Sequence, residues 1–356
     1  MTLISAIDLF CGAGGLTQGL KAAGIDVRLG IDLDPACEYP FSFNNGTRFL
    51  KKSIQDLTPF DLLQEWKDAR FSLLAGCAPC QPFSLYSQGK TDESDGRWNL
   101  LAEFQRLVIR TKPTLVTMEN VPRLAEQAIF AKFVNALEAE KYHVSAKTVN
   151  SADYGVPQQR ERLVLLASKL GPIELIPPTH SKRQRTVRDA ISNLPPLTAG
   201  AEHETDPLHQ TATLSETNLL RIQASKPGGT WRDWDPNLVA ACHRRRTGKT
   251  YPSVYGRMTW DNPAPTMTTQ FFGFGNGRFG HPEQDRAISL REGAIIQSFP
   301  KSYRFVKPGQ PIHMKTLGRL IGNAVPVKLG EAIGRSLQQH VQAFSAREKS
   351  KSASAR

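Results

Sequence analysis

Strand-like apolar runs that alternate with helical patterns constrain the fold of this 356-residue chain more than any other feature. Residues 100–109 and 129–137 carry apolar side chains at helical spacing. Short, mostly apolar runs typical of buried strands occur at residues 6–10, 27–31, 71–75, 114–118 and 162–167. This alternation predicts an α/β fold with a doubly wound, mostly parallel sheet and right-handed crossovers.

The pattern changes after residue 170. Up to about residue 252 the chain is rich in Pro, Thr, Arg and His, and its periodicity is weak. We predict four segments: a first domain at residues 1–170 and 312–343, a second, smaller and irregular domain at 171–285, a hinge at 286–311, and a disordered basic tail at 344–356.

The chain is basic, with a formal net charge of +12 and a pI of about 9.6. This charge indicates either a nucleic-acid partner or a basic, solvated surface, and charge alone does not separate the two. No apolar run approaches the roughly 20 residues of a membrane span, and residues 1–7 resemble a first strand more than a signal peptide. The odd count of five cysteines favours the reducing cytoplasm over a secreted disulfide scaffold.

A glycine-rich turn, Asp8 to Leu16, joins the first strand to a helix. Its glycines would let the backbone approach a ligand closely, although a plain βα turn is the simpler interpretation. The spacing is not the dinucleotide fingerprint, since Thr17 replaces the third glycine. Asp32, at the end of the second strand, is placed to bind a ribose diol, and Asp34 follows it. Asp56, in the predicted third βα turn, could accept from an adenine amino group.

Cys80 follows Pro79 in a turn directly after the strand-like run 71–75. The carboxyl ends of parallel strands are where open α/β sheets place their chemistry. Glu119 follows a later strand, and Arg160 and Arg162 come after it. A nucleophile, an acid and two arginines in this order suggest covalent attack on a polar ring.

The pair Cys77 and Cys80 has two other interpretations, half of a zinc site or a redox pair. No second Cys-x-x-Cys or His pair occurs at finger spacing, which disfavours zinc, and we predict no metal. Thioredoxin-type motifs have no glycine-rich cofactor turn upstream, which disfavours the redox pair.

Several motifs resemble those of the DNA (cytosine-5) methyltransferases of prokaryotic restriction–modification type. They are Gly76 to Ser84 around Cys80, Glu119-Asn120-Val121, the Gln-x-Arg-x-Arg pattern formed by Gln158, Arg160 and Arg162, Arg257 to Thr269, and Gly322 to Pro326. The resemblance covers roughly the first half and the last third of the chain. It implies a Rossmann-like, S-adenosylmethionine-dependent methyltransferase fold.

The resemblance also implies S-adenosylmethionine as methyl donor. Phe10 would lie against the adenine, Leu100 would line the same pocket, and residues 322–326 would close over the methionine end. The predicted donor-binding residues are Asp8, Phe10, Gly12, Gly14, Gly15, Asp32, Asp34, Asp56, Pro79, Leu100, Asn323, Ala324 and Val325.

In the chemistry that the resemblance implies, the Cys80 thiolate adds to C6 of cytosine and makes C5 nucleophilic toward the methyl group. A protonated Glu119 would offset the charge that develops toward N3, and Arg162 would donate to O2. Arg160 would orient Glu119 or contact a phosphate, and Asn120 would hold the loop. The predicted catalytic residues are Cys80, Glu119, Asn120, Gln158, Arg160 and Arg162.

Access to C5 requires the base to be flipped out of double-stranded DNA. The loop after Cys80 would close over the minor groove, and the second domain would read the major groove. The predicted DNA-binding residues are Ser84, Ser87, Arg97, Arg244, Arg245, Arg246 and Arg257. The resemblance further implies a monomer in the prokaryotic cytoplasm, associated with the nucleoid, and a cognate restriction endonuclease that forms no stable complex with it.

Two alternatives are open. An RNA cytosine-5 methyltransferase would share the catalytic half, but the Cys-Phe-Thr tripeptide of such relatives is absent from the smaller domain. A non-catalytic DNA-binding homologue would not need Cys80, Glu119, Arg162 and the glycine-rich turn together. The sequence does not identify the DNA target or the base that removes the C5 proton.

Overall fold

The computed structural model describes residues 4–78 and 99–354 of the chain, which forms two compact units. The first unit contains Met1–Tyr154, Glu161–Thr179 and Val325–Arg356, and the second contains Gly155–Arg160 and His180–Ala324. The division differs from the predicted boundaries near the C-terminus. Residues 312–324 group with the second unit, and the chain returns to the first at Val325.

A seven-stranded sheet forms the centre of the first unit. Its strands are β1 (Ile4–Leu9), β2 (Asp26–Asp32), β3 (Arg48–Lys51), β4 (Phe71–Gly76), β5 (Leu115–Asn120), β6 (His143–Asn150) and β7 (Glu161–Ser168). Their order is β3-β2-β1-β4-β5-β7-β6. Only β7 runs against its neighbours β5 and β6, and the other pairs are parallel. The predicted mostly parallel α/β sheet is confirmed.

Helices follow the strands and continue into the second unit. In chain order they are α1 (Gly15–Ala22), α2 (Glu38–Asn45), α3 (Pro59–Leu63), α4 (Asn99–Thr111), α5 (Ala128–Ala139), α6 (Val187–Ile191), α7 (Glu216–Ala224), α8 (Ala241–Arg244), α9 (Leu290–Ile296), α10 (Met314–Asn323) and α11 (Val327–Ser354). In α4, Leu101, Phe104 and Val108 are buried at the spacing of one helix face. This face packs with α5 against the sheet.

Helices α1 and α11 pack closely in a second apolar cluster of the same unit. Gly19 makes this approach feasible, because a Cβ there would lie 2.4 Å from the Val327 carbonyl oxygen and 2.5 Å from the Glu331 amide nitrogen. Helix α1 follows directly from the glycine-rich turn. Its close contact with α11 therefore fixes the helix that carries this turn.

Helix α11 overturns one prediction about the C-terminal tail. Residues 344–354 are helical rather than disordered. Val341 and Ser345 continue the buried face of α11 by one turn, and the Phe344 ring packs edge-on against Phe71 at 6.2 Å. After Ser345 the described side chains are exposed, and the Ala, Lys and Arg residues there favour helix without burial.

The second unit has short helices and long irregular stretches, as the weak periodicity predicted. An apolar cluster around Ile222, Trp231, Trp234 and Phe274 forms one core. Buried ion pairs support another part, where the Arg286 guanidinium donates to both carboxylate oxygens of Glu292 at 2.7 and 2.8 Å. Among the helices of the described ranges, none is long and apolar enough to span a bilayer.

Candidate active site

A buried carboxylate, Glu119, lies at the carboxyl edge of the sheet, near the end of β5. Its side chain is 3% exposed. The Arg162 Nε atom, on the neighbouring strand β7, lies 2.9 Å from Glu119 Oε1. On the other side, the Cys77 thiol donates to Glu119 Oε2 at 3.0 Å. The predicted acid and the second arginine of the Gln-x-Arg-x-Arg pattern are thus in direct contact.

Asn120 fixes the backbone at Ala78, two residues before Cys80 in the sequence. Its Nδ2 donates to the Ala78 carbonyl at 3.1 Å, and its Oδ1 accepts from the Val121 amide at 2.9 Å. The side chain is buried. This geometry matches the predicted loop-holding role, and that role stays a proposal. Other predicted residues lie outside the described ranges: Pro79, Cys80, Ser84, Ser87 and Arg97.

The glycine-rich turn after β1 takes up backbone angles that favour glycine. Gly12 and Gly14 have φ of 52° and 90°, and Phe10 has φ of 56°. Gly14 precedes α1 as its N-terminal cap. The Gly12 amide donates to Asp32 Oδ2 at 2.9 Å, so Asp32 at the end of β2 holds the turn in place.

Asp32 is half-buried, and each of its carboxylate oxygens accepts a backbone hydrogen bond. Oδ1 accepts from the Asp34 amide at 3.0 Å, beside the Oδ2 bond to Gly12. Burial raises the pKa of the Asp32 carboxyl, and the two amides oppose that rise. Because a carboxylate has about four acceptor positions, Asp32 keeps capacity to accept from a ligand hydroxyl. Asp34 instead caps the next turn through the Ala36 amide at 3.0 Å.

Asp8, near the end of β1, is almost fully buried. The Thr17 hydroxyl donates to its Oδ2 at 2.6 Å, while its Oδ1 has no hydrogen-bond partner among the described residues. Burial raises the pKa of Asp8 to about 7, and the charge of Asp32 adds to the rise. Thr17, which stands where the dinucleotide fingerprint has its third glycine, is thus the residue that donates to the Asp8 carboxyl.

Two other predicted donor-binding residues lie in or beside helix α4. Leu100 lies in its first turn and packs against the apolar cluster, and the exposed Asp56 ends a short 3₁₀ turn. The Arg106 guanidinium donates to the Ile54 and Leu57 carbonyls at 3.1 Å each. Arg106, which the sequence analysis missed, therefore holds α4 against the turn that presents Asp56.

The segment around Asn323 belongs partly to each unit. Asn323 is exposed at the end of α10, and Ala324 is the last residue of the second unit. Val325 begins the return to the first unit and packs in its apolar cluster.

Arg160 is buried in the second unit, and its predicted role as a Glu119 partner or phosphate contact stays a prediction. Its side chain is 3% exposed and donates to the Met267 and Gly322 carbonyls at 3.0 and 3.1 Å. Gln158 accepts from the Met267 amide at 2.8 Å. Its amide donates to Gln297 at 2.9 Å. Gln158 and Arg160 therefore support the backbone at Met267 and Gly322, and their catalytic role stays a prediction.

Gln297 completes this buried network, and the sequence analysis missed it. Its Nε2 lies within hydrogen-bond distance of the Ile321, Gly322 and Ala324 carbonyls, the shortest at 2.8 Å. The network thus holds the end of α10, just before Asn323. The signal was present in the sequence as a glutamine in a hydrophobic segment, where an amide needs internal partners.

Arg257, predicted as a DNA contact, is buried in the second unit, and its role toward DNA stays a prediction. It is 5% exposed, donates to the backbone carbonyls of Ile222, Ser225, His281 and Gln284, and pairs with Asp285. These acceptors hold the Arg257 guanidinium inside the second unit, where it organises the irregular chain.

The basic run at residues 243–246 divides into a core residue and an exposed group. His243 is buried, and its ring stacks on Trp231 at 4.6 Å. Arg244, Arg245 and Arg246 are exposed, although Arg244 also donates to the Pro236 carbonyl at 2.8 Å. Arg245 and Arg246 are therefore the better candidates for a phosphate contact.

Within residues 4–78 and 99–354, no cluster of three or more His, Cys, Asp or Glu side chains could hold a metal ion.

Known proteins similar to this chain agree on one family. The family's sequence model, described as C-5 cytosine-specific DNA methylase, matches residues 4–339. The type II methylase M.HgiDII of Herpetosiphon aurantiacus is 49% identical over 349 residues, which cover 97% of this chain and 98% of the relative. The type II methyltransferase M1.HphI of Haemophilus parahaemolyticus is 32% identical, covering 94% of this chain and 86% of its own length.

Among solved structures, a prophage-encoded protein of E. coli, described as a DNA modification methyltransferase, has the same fold. Its TM-score is 0.70 at 22% identity, covering 95% of this chain and 99% of that one.

Proposed function

This chain belongs to the C-5 cytosine-specific DNA methylase family and is a DNA (cytosine-5-)-methyltransferase, and we propose that it methylates a cytosine in duplex DNA through a covalent bond between Cys80 and C6. S-adenosylmethionine is the proposed methyl donor, and when bound it supplies an electrophilic methyl group. The observation that carries the proposal is the buried contact of Glu119 with Arg162. Glu119 also contacts Cys77, which precedes Cys80 by three residues in the sequence.

The proposed chemistry assigns one role to each group. The Cys80 thiolate adds to C6 of a flipped cytosine, and C5 becomes nucleophilic. Glu119 holds a proton at N3, where negative charge develops, and Arg162 donates to O2 while its Nε stays on Glu119 Oε1. After methyl transfer, loss of the C5 proton lets the C6–S bond break, which returns the thiolate.

The residues of the glycine-rich turn fit the donor. Asp32 is half-buried with acceptor capacity left for a ribose diol, and the exposed Asp56 is available to an adenine amino group. Gly12 and Gly14, with positive φ, bring backbone rather than side chains to the same edge. Asp8 Oδ1, buried and without a hydrogen-bond partner among the described residues, provides one further acceptor. Phe10, Gly15, Leu100, Asn323, Ala324 and Val325 complete the proposed donor site.

The second unit is the proposed target-recognition domain, with residues 171–285 as its main part. Specificity requires side chains at base edges in the major groove, and exposed arginines such as Arg245 and Arg246 supply phosphate contacts that set position.

The relatives of this chain are named as type II methylases and methyltransferases. By analogy we propose that this chain acts as a monomer in the bacterial cytoplasm and protects sites that a separate restriction endonuclease cuts.

The test is a product analysis. The purified protein is incubated with labelled S-adenosylmethionine and a duplex DNA of diverse sequence, and the DNA is digested to nucleosides. We expect label in 5-methyldeoxycytidine alone, with bisulfite sequencing giving one target sequence. Label in N4-methyldeoxycytidine or N6-methyldeoxyadenosine would contradict the proposal, and methylation of transfer RNA but not DNA would favour the RNA alternative.

A further inference from the structure

Cys77 contacts the buried carboxylate of the active site. Its thiol is half-buried and donates to Glu119 Oε2 at 3.0 Å. The other oxygen, Oε1, lies 2.9 Å from Arg162 Nε. Each oxygen of Glu119 is therefore held by a different neighbouring strand, one by β7 and one by the chain leaving β4.

The sheet register places Cys77 beside Glu119. Gly76, the last residue of β4, lies opposite Met118 of the parallel strand β5. The next residues, Cys77 and Glu119, are therefore neighbours across the sheet edge. The Cys77 amide donates to the Leu9 carbonyl of β1 at 3.4 Å, so the backbone at Cys77 is fixed on its other side as well.

The two contacts of Glu119 differ in kind. Arg162 and Glu119 form a buried ion pair, with side chains 12% and 3% exposed, and the attraction between buried charges is screened little by salt. A thiol is a weak donor. A base that enters the site would therefore compete with Cys77 for Oε2 more easily than with Arg162 for Oε1.

We propose that Cys77 is a positioning residue for Glu119, which orients Oε2 toward the target base and releases it when the base binds. The inference rests on the proposed role of Glu119 at cytosine N3. The terminal torsion of a glutamate side chain is broad, so without the thiol the carboxylate would keep, among the described residues, only its contact with Arg162. Cys77 itself makes no bond to substrate in this account.

The experiment measures single-turnover methylation at saturating DNA and donor for five variants and the parent. Cys77→Ala should slow methyl transfer about tenfold, the usual effect of removing one hydrogen bond. Cys77→Ser, which keeps a donor, should stay within a few-fold of the parent. Affinities for DNA and donor should be unchanged in both variants.

A double-mutant cycle separates positioning from structural support. If Cys77 acts through Glu119, Cys77→Ala should have little further effect in a Glu119→Gln background. Cys242→Ala, which removes an exposed thiol in the second unit, is the matched control and should keep the parental rate.

Two results would overturn the inference: a parental rate for Cys77→Ala, or the same loss in both backgrounds. A Glu119→Gln variant at the parental rate would instead refute the role of Glu119 in the proposed function. Thermal unfolding of each variant checks that the fold is retained, and Cys77→Ser tests the inference if Cys77→Ala does not fold.

Discussion

Two buried carboxyl groups lie on strands of the same sheet and differ in their partners. Glu119 is held by a guanidinium and a thiol. Asp8 has one hydroxyl donor, from Thr17, and the nearby charge of Asp32 opposes its ionisation. Burial raises the pKa of Asp8 to about 7, whereas its ordinary value is 3.8. The ionised form of Asp8 therefore costs the folded protein stability near neutral pH.

The sign of this effect gives a pH prediction. Because the pKa of Asp8 is higher in the folded state, the folded protein binds the proton more tightly, and stability falls as the pH rises from about 4 to about 7. Asp8→Asn removes the charge and keeps an acceptor for Thr17. In the absence of ligand, its gain in stability over the parent should grow from pH 5 to pH 8.5, to a few kcal/mol at most.

Thermal unfolding of both proteins at the two pH values measures this difference. Thr17→Val is a control that removes the hydroxyl donor but not the carboxyl, and it should be destabilising at both pH values. An Asp8→Asn gain that is equal at pH 5 and pH 8.5 would contradict the raised pKa.

At the scale of elements, the position of the glycine-rich turn depends on helices α1 and α11, which pack closely at Gly19. Helix α1 carries the turn, and α11 brings the C-terminal part of the chain back against it. A Cβ at Gly19 would lie within 2.6 Å of three backbone atoms of α11, at Val327, Gly330 and Glu331. Backbone atoms cannot move aside as a flexible side chain can.

Gly19→Ala should therefore destabilise the protein, by about 1–3 kcal/mol or more, because the core between α1 and α11 is overpacked. The expected gain from alanine in a helix, up to about 1 kcal/mol, is smaller. Denaturant unfolding measures the change, and Gln18→Ala on the same helix is the control. A Gly19→Ala variant as stable as the parent would show that α1 and α11 lie further apart.

The sequence predicted the elements that are buried on both sides. β1, β4, β5 and β7 are mostly apolar and buried, and α4 and α5 carry apolar side chains at helical spacing. β2 was also predicted, although polar residues interrupt its apolar ones. The edge strands β3 and β6 were missed because their side chains are mostly exposed or half-exposed, and no apolar run marks them.

Individual side chains were predicted less well where tertiary contacts decide their role. Glu119 and Arg162 are in contact, and Asn120 bonds the Ala78 carbonyl, while the catalytic roles of all three stay predictions. The burial of Arg160 and Arg257 was not foreseen, because a guanidinium can be buried when backbone carbonyls accept its N–H groups, and a sequence does not show those carbonyls. Cys77 could be found only from the register of β4 and β5.

At the scale of the whole molecule, the net charge of +12 suits a DNA-binding enzyme. The buried arginines show that only part of this charge is available to DNA. Arg245 and Arg246 are exposed basic side chains on the second unit, beside the core residue His243.

Replacing both Arg245 and Arg246 by Gln should weaken binding to all DNA sequences and leave the methylated site unchanged, since phosphate contacts position but do not specify. The slope of log K against log salt should shrink by roughly 0.9 for each phosphate that the protein no longer neutralises. Arg110→Gln with Lys141→Gln removes the same charge at exposed positions near the amino edge of the sheet, and should leave the slope unchanged. Equal slopes for both double variants would contradict the proposal that Arg245 and Arg246 bind phosphates.

Covalent trapping tests the central claim most directly. Duplex DNA carrying 5-fluorocytosine at the target position cannot lose a C5 proton after methyl transfer, so the protein should remain bound to C6. After incubation with S-adenosylmethionine and denaturation, mass spectrometry of the digested adduct should place the DNA on Cys80, and Cys80→Ser should form none, because the alcohol is too weakly acidic to add. An adduct on Cys77 or another residue, or methylation of DNA by Cys80→Ser at the parental rate, would contradict the account.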